Sequence, residues 1–217
     1  MNQGNLIQLI AISALPILFA ITVHEVAHGW VASRLGDQTA RMLGRLTLNP
    51  LKHIDPIGTI AVPLLTLLMG GMLFGWAKPV PVTWENLKHP KRDMALVAAA
   101  GPAANLLMAV FWIVVIKMAW QLAAVAPGMV QALINMGQYG ILINLLLMVL
   151  NLLPIPPLDG SRVVSSFLTG RVAWRYNQLE SYGLIIILLL LMTGILGKLI
   201  RAPVESLMSS LYLAAGI

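Results

Sequence analysis

The stretch TVHEVAHGW, residues 22–30, closes an apolar run that begins near Leu6. Two histidines and a glutamate stand there among residues that otherwise suit hydrocarbon. At ~1.5 Å per residue the run is long enough to cover the ~30 Å apolar core of a bilayer as one helix. On such a helix His24 and His28 share a face and Glu25 lies beside them. This HExxH spacing lets two ring nitrogens reach one metal ion, with a carboxylate within reach of water at the metal. Packed histidines bonded to their neighbours are the alternative. Ionisable residues inside a span are costly and generally functional, however, and here three coincide at ligand spacing. The first charge after the motif, Arg34, lies ten positions beyond His24, or ~15 Å along a helix, so the metal is expected at membrane depth.

The rest of the chain agrees with a membrane setting. Of 217 residues, 59% are apolar and only 10% charged, outside the range of ordinary soluble domains. The pattern predicts an all-α polytopic membrane protein forming a single domain over residues 1–217. Spans are expected at about 6–33, 94–119, 133–153 and 183–200. A further apolar stretch, 57–76, contains Pro63, Gly70 and Gly71 and is expected to be re-entrant. The opening MNQGN lacks the basic region of a signal peptide, which predicts that the first span is retained. With no cysteine in the chain, any metal is held by nitrogen and oxygen. The net charge of +6 is scattered through short connections and reads as a topology signal rather than a nucleic-acid surface.

A catalytic zinc takes three protein ligands and keeps a fourth position open, so one ligand is missing from the first span. Most acids, Asp37 and Asp93 among them, sit in basic connections where a solvated or ion-paired role is expected. Asp159 differs. It follows NLLPIPPLDG, residues 151–160, where Pro154, Pro156 and Pro157 forbid a helix and predict extended backbone. Irregular backbone at membrane depth is tolerated where it is buried in protein or lines a wet cavity. Asp159 as a simple N-cap of the following helix is the competing reading.

Taken together, HEVAH, AAAGPAANLL (residues 98–107) and NLLPIPPLDG resemble the three signature segments of the site-2 protease family of intramembrane zinc metalloproteases. GRLTLNPLKHIDPIGT (44–59) and FGWAKPVPV (74–82) resemble its compact bacterial and archaeal branch, without PDZ or CBS domain. The resemblance implies that His24, His28 and Asp159 ligate one Zn2+ and that Glu25 is the general base. It further implies that Asn151 stabilises the oxyanion and that Gly101, Pro102 and Asn105 shape the intervening span. Asn105 as a packing hydrogen bond between helices is equally consistent with the sequence. The implied substrates are transmembrane segments of other proteins in the lipid bilayer. A zinc transporter or a helix-binding scaffold is the alternative function. His53, within the 44–59 segment, reads as a solvated connection histidine.

For Asp159 to meet His24 and His28, the first span and the one ending at Asn151 must run in the same direction. Residues 94–119 supply the single crossing between them, so 57–76 cannot be another. Charge counting agrees: eleven of the fourteen Lys and Arg then fall on one side, against Lys117, Lys198 and Arg201 on the other. This predicts an outside N-terminus and an active site opening to the cytoplasm of a multi-pass cell-membrane protein. The extended KPVPV, residues 78–82, is expected to border the water path and to offer backbone to an unwound substrate.

Overall fold

A computed structural model describes residues 3–62, 64, 65, 75–122 and 126–217. Helix α1 spans Gln3–Arg34 and runs through Pro16; a single turn, α2 (Thr39–Met42), follows it. Helices α3 (Pro90–Gln121) and α4 (Pro127–Leu152) each begin on a proline, whose fixed φ suits the first helical turn and whose missing N–H leaves no bond unmade there. Three segments are long and apolar enough to cross a membrane: Ile12–Arg34 within α1, Pro90–Gln121 and Pro127–Leu152. They overlap the first three expected spans, the first starting six residues later and the third six residues earlier. The described residues contain no strand, and the fold is that of an all-α multi-pass membrane protein.

The α3–α4 pair forms the core. Trp112, Ile113 and Ile116 of α3 pack with Ile141, Leu145 and Met148 of α4, and α1 lies against the same pair. The remainder comprises α5 (Asp159–Phe167), α6 (Gly170–Gln178), α7 (Gly183–Met192) and α8 (Ile195–Ala215).

Residues 183–200, expected as a fourth span, do not form one straight helix. Helix α7 stops at Met192, Gly194 adopts φ 72°, and α8 leaves at 80° to the helix before it. A left-handed residue closes a helix most cheaply as glycine, and the Thr193 hydroxyl donates to the Leu189 carbonyl at 2.8 Å, finishing the turn. Helix α8 continues through Pro203 to Ala215; Leu196, Ile200 and Val204 bury its inner face on the α3–α4 core.

The two ends of the 57–76 stretch meet. Trp76 N–H donates to the Gly58 carbonyl at 3.0 Å, and the Thr59 hydroxyl donates to the Trp76 carbonyl at 2.9 Å. These two bonds close the base of the stretch. Asp55 starts it by accepting from the N–H groups of Ile57 and Gly58. Pro63, Gly70 and Gly71 lie outside the described residues.

The proline-rich stretch before Asp159 does interrupt the helix, but it turns rather than running straight. Leu158 N–H donates to the Ile155 carbonyl at 2.9 Å, and the Pro156–Pro157 bond is cis.

Candidate metal centre

His24 and His28 lie one turn apart on α1, as the 3.6-residue period requires. Their Nε2 atoms stand 3.0 Å apart, and Asp159 Oδ2 lies 3.2 Å from the first and 3.3 Å from the second. Asp159 is the first residue of α5; Leu158 occupies the cap position, and the carboxylate turns to the histidines instead of capping its helix.

Protons on the two rings are located by their neighbours. His28 Nδ1 faces the Val97 carbonyl at 2.7 Å, which can only accept, so Nδ1 carries the hydrogen. His24 Nδ1 faces Asn105 Oδ1 at 2.6 Å. Asn105 Nδ2 is pinned as a donor by the Ala20 carbonyl at 3.2 Å and also donates to Asn144 Oδ1 at 3.0 Å, while Asn144 Nδ2 donates to the Gly140 carbonyl at 2.8 Å. Asn105 Oδ1 is therefore an acceptor and His24 Nδ1 the donor. With both neutral rings protonated at Nδ1, their Nε2 lone pairs point at each other beside a carboxylate oxygen that is buried and accepts no hydrogen bond.

Three electron pairs converging in a buried space fit a cation. A tetrahedral ion with bonds of ~2.0–2.2 Å separates its ligands by about 3.3 Å, close to the three distances here. Nitrogen and carboxylate donors suit zinc, and the Nδ1 bonds to a carbonyl and an amide are the outer contacts that orient ligating histidines.

Gly101 leaves room for this arrangement. A Cβ there would overlap the rings of both His24 and His28. Gly101 of α3 thus borders both histidines directly. Pro102 follows it, buried in α3, and withholds the N–H that would bond the Ala98 carbonyl. Asn105 bonds His24 Nδ1 and at the same time joins α3 to α1 and α4.

Glu25 turns toward the extended segment. Its Oε2 accepts from Val80 N–H at 2.7 Å, which places KPVPV beside this carboxylate. Asn151, near the end of α4, donates from Nδ2 to the Leu147 carbonyl at 3.0 Å and makes no hydrogen bond to the three ligands.

Two solvated readings, those of Asp37 and His53, are corrected, while Asp93 has the ion pair expected of it. Asp37 is fully buried and receives hydrogen bonds from Thr39, Thr83 N–H and Asn86, tying the α1–α2 corner to the segment before α3. Burial alone would raise its pKa, but these bonds outweigh burial and hold it below the usual carboxylate range. Asp93 is also fully buried, where it caps the His89 N–H and pairs with Arg92. His53 is buried with Nε2 on the Thr47 carbonyl at 2.9 Å. Asn144, the Val97 carbonyl and the Val80 N–H were missed by sequence reasoning. Only Asn144 left a signal, as a polar residue in the apolar middle of α4.

Comparison with known proteins gives a consistent result. The sequence profile of Peptidase family M50 matches residues 12–134 and 121–194. "Putative zinc metalloprotease YwhC" of Bacillus subtilis is 41% identical over 192 residues, covering 86% of this chain and 82% of that protein. "Putative zinc metalloprotease Rip2" of Mycolicibacterium smegmatis is 32% identical over 182 residues, 83% of this chain and 66% of that protein. "Regulator of sigma-E protease RseP" of Escherichia coli is 35% identical over 103 residues, 44% of this chain and 23% of that protein. No solved structure matches.

Proposed function

The chain belongs to peptidase family M50 as a zinc metalloprotease of the site-2 type, and from that premise we propose that it hydrolyses peptide bonds within or near transmembrane segments of other membrane proteins. The observation that carries this reading is the meeting of His24, His28 and Asp159 between membrane-length helices, with the base candidate Glu25 alongside. A target bond held in a bilayer is reached by a site held at the same depth.

His24, His28 and Asp159 would hold the zinc. When bound, the ion would supply Lewis acidity that lowers the pKa of water towards ~7. Val80 N–H fixes Glu25 Oε2. The other carboxylate oxygen, Oε1, is left to take a proton from the attacking water and return it to the departing amine. Asn151 keeps one amide N–H on the Leu147 carbonyl and has a second to offer the developing oxyanion. The substrate helix must unwind locally before its peptide bond is accessible, so residues of low helix propensity in the target favour cleavage.

The proposed orientation has the N-terminus outside and the active site opening to the cytoplasm. It is supported by the eleven-to-three division of Lys and Arg and by the meeting of Gly58 with Trp76, which keeps residues 34–56 and 78–92 on one side.

The test is purified protein in zinc-containing liposomes with a reporter bearing a helix-weakened span. Wild type should cut within the span, and Glu25→Gln should lower the rate ~10²–10⁴-fold while retaining zinc. Equal cleavage by both would remove Glu25 as base; zinc and reporter binding with no cleavage by either would favour a scaffold or transporter.

A further inference from the structure

The peptide unit between Pro79 and Val80 is held at both ends. Its N–H donates to Glu25 Oε2 at 2.7 Å, while Arg45 Nη2 donates to its carbonyl at 3.4 Å and to the preceding Lys78 carbonyl at 3.0 Å. A trans peptide is planar, with C=O and N–H pointing in opposite directions, so fixing the oxygen aims the hydrogen. The flanking residues reinforce this. Pro79 and Pro81 have restricted φ and no N–H, so the segment presents Val80 as its one donor between positions 78 and 82.

Arg45 is itself anchored, its N–H donating to the Ala40 carbonyl at 2.9 Å. Lys78 N–H donates to the His53 carbonyl at 2.9 Å, so residues 45–53 grip the extended segment twice. Among the described residues Arg45 makes no salt bridge, and its Nε is buried without an acceptor. A half-buried guanidinium without a carboxylate partner keeps its full charge for the two carbonyls it meets. Hydrogen bonding at a peptide oxygen also polarises the N–H across the same unit.

We infer that Arg45 is a positioning residue for the base: through the planar Pro79–Val80 peptide it holds Val80 N–H on Glu25 Oε2 and thereby keeps the other carboxylate oxygen turned to the substrate water. The inference rests on Glu25 being the base, as proposed above. Arg45 touches neither the metal ligands nor the reacting atoms.

The experiment uses the full zinc-loaded chain in liposomes and compares wild type, Arg45→Gln, Arg45→Lys and Glu25→Gln. Hydrogen exchange at the Val80 amide is followed by mass spectrometry, the two prolines separating it from its neighbours. Arg45→Gln should speed that exchange at least about tenfold and lower kcat roughly ten- to hundredfold, with KM and zinc content near wild type. Arg45→Lys, retaining a charge but losing the planar fork, should fall between on both readouts. Wild-type exchange and kcat in Arg45→Gln would overturn the inference, as would faster exchange with unchanged kcat. Should Arg45→Gln fail to fold, Arg45→Lys decides, and wild-type values on both readouts overturn the inference. Full turnover by Glu25→Gln would refute the base assignment instead, and the exchange data would still report separately whether Arg45 holds the peptide.

Discussion

Asn105 accepts the Nδ1 proton of His24 at 2.6 Å from a position fully shielded between three helices. The bond sets the tautomer, and with it the direction of the Nε2 lone pair. Replacing Asn105 with leucine would strand two buried groups, His24 Nδ1 and Asn144 Oδ1, and remove a second donor from the Ala20 carbonyl. Zinc affinity is expected to fall about 10–100-fold, as measured by chelator competition. Asn144→Leu, one bond further away, should have a smaller effect on affinity.

Gly101→Ala should cost the centre its geometry. The new methyl would overlap both ligand rings, and α1 and α3 are too closely joined for either to withdraw without breaking the His28–Val97 bond. Zinc content per chain and reporter cleavage should both fall sharply while the helical circular dichroism signal persists. A zinc-replete, active Gly101→Ala protein would show that the rings have more room than these positions allow.

Zinc removal should weaken the fold, because it returns two lone pairs and a carboxylate to mutual repulsion. Free zinc at 100 times its dissociation constant stabilises a protein by about 2.7 kcal/mol. Chelation should therefore lower the thermal midpoint of the wild type in detergent, and it should leave that of His28→Ala almost unmoved.

Asp37 gives the fold an acid limit. Its folded pKa lies below the unfolded value of ~3.9, so its stabilisation is complete above that value and disappears as pH falls through the folded pKa. In Asp37→Asn this part of the acid dependence should vanish. At neutral pH the variant should lose about 1–3 kcal/mol, because an amide NH2 then opposes the donors around it. Thermal midpoints of both proteins between pH 3 and pH 7 provide the check.

What could be read from the sequence was what periodicity and side-chain identity encode. His24, Glu25 and His28 share one helix, so their relation needs only the 3.6-residue period, and the prolines before Asp159 advertise a break at membrane depth. The links among Asn105, Asn144 and His24 depend on how three helices rotate against one another, which local pattern does not specify. Val80 reaches Glu25 with a backbone N–H, a group every residue but proline carries, so its side chain gave no clue. The α7–α8 bend escaped notice because apolar residues continue on both sides of Gly194, and the glycine's positive φ is a conformational fact. Asp37 and His53 were assigned to solvent because short polar connections usually lie there; here the connections fold over each other.

Most of the chain separates the histidine pair on α1 from Asp159 on α5, with Asn105 between. During biosynthesis, then, the first helix enters the bilayer with its histidines already exposed to metal but without the carboxylate that completes the donor set. The chain can acquire hydrolytic competence only after α3 and α4 have been inserted and α5 has left the ribosome. Nascent membrane proteins sharing the insertion machinery are thereby spared an active neighbour that is still being made.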